Sequence, residues 1–74
     1  MVIRDATDFG TAIRKKRIAL GYTQAQLAGF CGCSTVYLSR LENGKATAEL
    51  GKALFIMKTL GIDLEAKPRN GDDL

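Results

Sequence analysis

At 74 residues with a formal net charge of +3, the chain has room for one small domain, which buries only about 60% of its unfolded surface and keeps a stability of a few kcal/mol. Two cysteines and no histidine are too few donors for a closed zinc site, and no apolar run approaches membrane-spanning length. There is no glycine-rich phosphate loop and no serine or cysteine with a base nearby, so no enzyme, catalytic residue, cofactor or metal is expected.

The charge is unevenly placed. Residues 1–45 carry Arg4, Arg14, Lys15, Lys16, Arg17, Arg40 and Lys45 against only Asp5, Asp8 and Glu42, while the rest of the chain is close to balance. A basic front half suits a polyanionic partner, although a solvated helix face explains a lysine–arginine run about as often.

In chain order, residues 1–6 form a lead-in and Thr7 or Asp8 caps a first helix running to about Leu20. Phe9, Ile13, Arg17 and Leu20 recur at helical spacing and mark its inner face. Arg17 is the anomaly there: it needs a buried partner, or it snorkels to solvent. Gly21 ends the helix. Thr23 and Gln26 then form a T-x-x-Q capping box, followed by an apolar stripe of Ala25, Leu27, Ala28 and Phe30. Gly32 is free to take the positive φ that stops this second helix. Ser34 caps a third, with Leu38 and Leu41 facing in and Thr35, Val36, Ser39 and Arg40 facing out. Asn43-Gly44 closes it. Two short helices across a tight turn make a helix-turn-helix.

Cys31 and Cys33 flank that turn. A C-x-C disulfide would be strained, so both are expected as small buried hydrophobes. Unbridged cysteines and no signal peptide point to a reducing, cytoplasmic setting. Thr47 is expected to cap a last helix with Glu49 in its first turn. Leu50, Ala53, Leu54, Met57 and Leu60 line its inner side, and Gly61 stops it. Gly51 costs about 0.5–1 kcal/mol relative to alanine there. Residues 62–67 alternate apolar and charged, the period of a strand with one buried face. A lone strand has no ladder partner in its own chain; the same strand of a second copy, antiparallel about a two-fold axis, supplies one. Ile62, Leu64 and Ala66 would then form a dimer interface. A short fifth helix is the alternative. Pro68 ends the segment, leaving residues 1–67 as the domain and 68–74 as a mobile tail.

The segments Leu20-Gly21-Tyr22-Thr23-Gln24, Leu27-Ala28, Gly32-Cys33-Ser34 and Leu38 through Gly44-Lys45, with Ile13-Arg14 and Arg17 before them, resemble the DNA-binding helix-turn-helix of the Cro and phage-repressor (XRE) family. The resemblance covers roughly residues 8–60. The combination of TQ-x-x-LA with S-x-x-x-L-S-R-L-E-N-G-K is specific, whereas either alone is weak. Cys33 stands where the family usually has valine, and Cys31 where it usually has alanine.

The resemblance implies an all-α, lambda-repressor-like domain of four to five helices, to which the alternation at 62–67 adds a short C-terminal β-strand expected to pair across a dimer. It implies that Arg17 pairs with Glu42. By the same match, Thr35, Val36, Ser39 and Arg40 reach base edges in the major groove. Phosphate contacts are expected from Gln24, Ser34, Asn43 and Lys45. Tyr37 either joins them or packs inside.

The short T-A-E-L-G-K connection and the L-G-I-D-L-E tail look most like the HipB-type antitoxins. That likeness implies a homodimer on a palindromic double-stranded operator, repression of its own operon, and a toxin partner of the HipA kinase class. A stand-alone phage-type repressor is the alternative. So is a protein-interaction module that neutralises an enzyme, with DNA binding vestigial; the polar, forked face of residues 35–40 speaks against it.

Overall fold

The computed structural model describes residues 1–71, and its regular elements are four helices: α1 (Ala6–Ala19), α2 (Gln24–Cys31), α3 (Thr35–Glu42) and α4 (Leu50–Thr59). Each starts at a side-chain cap. Thr23 and Gln26 form the expected capping box, with Gln26 N–H donating to Thr23 Oγ1 at 3.0 Å and Thr23 N–H to Gln26 Oε1 at 2.9 Å. Ser34 Oγ accepts from Tyr37 N–H at 3.0 Å.

Two caps differ from expectation. Asp5, not Thr7 or Asp8, caps α1, its carboxylate accepting from Asp8 N–H at 2.8 Å. A carboxylate at this site meets the partial positive charge of the helix start, which a threonine two residues later could not serve as well. Glu49, not Thr47, caps α4, and both of its oxygens accept, from Gly51 N–H at 2.9 Å and Lys52 N–H at 2.8 Å. A Cβ on Gly51 would meet Glu49 Oε1 at 2.9 Å, so the glycine makes room for the capping carboxylate rather than for a neighbouring helix.

The core comprises Ile13, Leu27, Ala28, Leu38, Leu41, Ala53, Ile56, Met57 and Leu60. α1 packs on α3, α3 on α2, and α2 on α4. The inner face of α4 is rotated from the expected one. Ile56 is buried, while Leu50 is 66% and Leu54 43% exposed. Residues 53, 56, 57 and 60 keep the i, i+3, i+4, i+7 spacing as well as the expected set did. Three other expected inward residues lie outside: Leu20, Ala25 and Phe30 are exposed. Phe30 instead meets Tyr22 edge-to-face, centroids 5.2 Å apart. Cys31 and Cys33 are free and half-buried against the core, rather than fully buried.

α1 and α3 approach closely at Gly10. A Cβ there would sit 2.6 Å from the Glu42 carbonyl oxygen and closer still to that of Leu41. Backbone cannot yield as a side-chain tip can. Gly10→Ala should therefore destabilise by about 1–3 kcal/mol, a fall in Tm of at least about 4 °C for a domain this size. Thermal unfolding followed by circular dichroism measures this, and an unchanged Tm would mean the two helices do not touch there.

After Gly61 the chain leaves α4 through a Schellman turn, with Gly61 N–H donating to Lys58 O at 3.0 Å and Ile62 N–H to Met57 O at 2.9 Å. Among the described residues there is no fifth helix and no strand. Ile62 packs against the core, while Leu64 is 47% exposed. The expected tail runs beyond the described residues; its first part, up to Gly71, turns back with Gly71 N–H donating to Pro68 O at 3.3 Å.

Candidate nucleic-acid interface

The outward face of α3 is exposed at Thr35, Val36 and Arg40 and half-buried at Ser39. Ser34 Oγ accepts the capping bond, which leaves its O–H to donate, and the amides of Thr35 and Val36, in the first turn, have no acceptor within the helix. Beyond α3, Asn43 ends the helix and Lys45 N–H returns to Arg40 O at 3.0 Å. That turn brings two cations together. Arg40 and Lys45 line one hollow of about 280 Å³ with Ser34, Val36 and Tyr37.

Tyr37 is half-buried, and its hydroxyl donates to the Glu49 carbonyl at 2.8 Å. Burial first, then the nearby Glu49 and Cys33, pushes its phenol above the usual value, so the donor keeps its proton at neutral pH. The bond ties α3 to the start of α4 and so sets where the connecting loop lies. Lys52 Nζ stands 5.5 Å from the centre of the Tyr37 ring and lines the same hollow. Neither Lys52 nor Thr47, also in the hollow, was expected at this surface from the sequence, where Thr47 was read only as a helix cap. The true start of α4 at Glu49 was the missing information, because it turns Lys52 toward α3.

Gln24, at the first position of α2, is directed to Glu42: its side-chain amide donates to Glu42 Oε1 at 3.2 Å. Glu42 is also the partner of Arg17. Arg17 Nε donates to Oε2 at 2.7 Å and a terminal nitrogen to Oε1 at 2.9 Å, the fork-on-fork geometry of a bidentate pair. The other terminal nitrogen donates to Tyr22 O at 2.8 Å. The bond to Glu42 raises the guanidinium pKa above its usual value, partly opposed by burial. One buried pair thus holds the end of α1, the α1–α2 turn, the start of α2 and the end of α3.

An exposed helix face ending in Arg40, presented by a second helix across a tight turn, defines the class: a helix-turn-helix DNA-binding regulator of transcription. The chain belongs to the helix-turn-helix family HTH_3, which matches residues 13–67. It is 35% identical over 63 residues to the uncharacterized HTH-type transcriptional regulator y4mF of Sinorhizobium fredii, covering 85% of this chain and 83% of that one. Its fold is similar to the solved HipB–O4 20mer complex, with a TM-score of 0.84 at 23% identity, over 93% of this chain and 97% of that one. The same values hold for a chain of the HipA–HipB–O2–O3 complex. Among the described residues no helix is long and apolar enough to cross a membrane.

Proposed function

We propose that this protein is a cytoplasmic, dimeric repressor of a palindromic operator and the antitoxin of a HipBA-type operon, which silences its own promoter and binds a kinase-like toxin of the HipA class. The observation that carries the DNA reading is the exposed face of α3, with Arg40 beside Lys45 at its end. Thr35, Val36, Ser39 and Arg40 take the base edges: Arg40 offers a fork to guanine O6 and N7, and Val36 or the Thr35 methyl meets a thymine methyl. Ser34, Asn43 and Lys45 hold phosphates. Gln24 and Tyr37 border the phosphate path, and each already spends a donor inside the protein. Residues 1–67 act as the binding and dimerisation unit. The antitoxin reading is supported by the shared fold with HipB bound to DNA and to HipA.

Binding to the upstream region of its own gene, measured by fluorescence anisotropy across a salt series, tests this. Arg40→Ala should cost about 1–3 kcal/mol at its cognate base pair and little at others. Lys45→Ala should weaken binding to every sequence and lower the salt slope by about one unit. A wild-type protein with no sequence preference at moderate salt would end the repressor reading. Co-expression with a toxin of the HipA kinase class, sought in the gene adjacent to this one, tests the antitoxin part separately. Relief of toxicity supports it, and toxicity undiminished leaves only the stand-alone repressor.

A further inference from the structure

The two cysteines play no part in the interface, yet they share a site. Cys31 ends α2, and Cys33 follows Gly32, whose φ of +68° turns the chain toward α3. Cys33 N–H donates to Ala28 O at 3.0 Å, which fixes the turn. Both cysteines line one hollow of about 440 Å³ between this turn and α4, together with Glu49, Lys52 and Phe55. They are free.

The donor set is narrow. Among the described residues no group of three or more histidine, cysteine, aspartate or glutamate side chains converges. Glu49 has both oxygens committed to backbone amides. Two sulfurs leave half of a tetrahedral zinc shell empty. They do satisfy a soft monovalent ion that accepts two thiolates. We propose that Cys31 and Cys33 form a two-thiolate chelate for a soft cation of the Cu(I) class, set in the turn that joins the two motif helices.

Each thiol gives its proton to solvent as its sulfur bonds the ion, and the copper stays monovalent. Two thiolates around one such ion leave one net negative charge, and Lys52 is the cationic residue among those lining the hollow. The backbone bond of the turn keeps both cysteines on one hollow before any ion arrives, so little chain is ordered on binding. The site does not depend on the DNA reading.

Anaerobic titration of the full chain with Cu(I) buffered by bicinchoninate tests this, with the near-ultraviolet sulfur-to-copper band as a second readout. One equivalent per chain should be withdrawn from the chelator. Cys31→Ser should weaken retention by about 100-fold or more, the loss of a chelate partner. Cys33→Val should do the same while leaving the helical circular dichroism unchanged. Failure to compete with bicinchoninate overturns the site, as does Cys31→Ser binding as tightly as the wild type. One copper per two chains would also overturn it, since the ion would then bridge copies. So would Zn(II) held as tightly as Cu(I).

Discussion

Replacing Arg17 with alanine should destabilise the domain by about 3–5 kcal/mol, because it strands a buried carboxylate. The side chain of Glu42 is 2% exposed and that of Arg17 11%. The two ends are therefore not equivalent. Without Arg17, the carboxylate keeps only the Gln24 amide at 3.2 Å and cannot reach water. Without Glu42, the guanidinium keeps Tyr22 O, and its longer stem can carry the charge outward. Arg17→Ala should thus be the worse of the two, with Glu42→Ala toward the lower end of the range. Joint replacement by methionine and leucine should cost far less than the sum, since no lone charge remains. A double-mutant cycle from urea unfolding measures the coupling, and a coupling near zero would refute the pair as a structural hub. Glu42→Ala also frees Gln24 and the end of α3 from α1. Operator affinity should fall in that variant even at temperatures where it stays folded.

Much of this was legible in the chain because local chemistry and fold agree in the motif. A capping box at Thr23 and Gln26, a serine cap at Ser34 and glycines after each helix leave few other ways to arrange residues 21–45. α4 was harder. Leu50-Gly51-Lys52-Ala53-Leu54-Phe55-Ile56-Met57 is apolar nearly all round, so two faces fit the helical period equally well. Only packing against α2 selects the one with Ile56. At α1 three polar residues within four positions could each cap, and the backbone chose Asp5. The exposed Phe30 illustrates a different limit: an aromatic at the right spacing is no guarantee of burial when a neighbour such as Tyr22 offers contact at the surface. Arg17 and Glu42, by contrast, lie 25 residues apart, and nothing local links them; it was the family resemblance that paired them.

The largest functional effect should come from residues 62–67, which touch no part of the candidate DNA interface. One recognition helix reads only a few base pairs. Two copies about a two-fold axis read both halves of a palindrome, with their helices about 34 Å apart along the duplex. In the single chain, Ile62 rests on the core while Leu64 is left 47% exposed. Leu64 borders an open groove of about 570 Å³ together with Met1, Val2, Ile3 and Ile62. Met1 and Val2 are themselves 74% and 70% exposed. Apolar side chains left this open at both borders of one groove are what a second copy would cover. Antiparallel pairing of 62–67 with its equivalent would bury Leu64 and Ala66 and supply ladder hydrogen bonds, where among the described residues there is no strand pairing. Asp63, Glu65 and Lys67 would stay in water, where the Glu65–Lys67 contact of 3.4 Å adds little. Truncation after Gly61 should lower operator affinity by orders of magnitude. It also removes Ile62, whose amide closes the Schellman turn, so a loss of stability could produce the same result. Leu64→Asp separates the two causes. The side chain is half in water already, so the monomer should keep its Tm, while dimerisation and operator binding collapse. Glu65→Gln should leave both intact. Sedimentation of the full chain decides the matter: a monomer at tens of micromolar, or a Leu64→Asp protein that still binds its operator as a dimer, would rule this interface out.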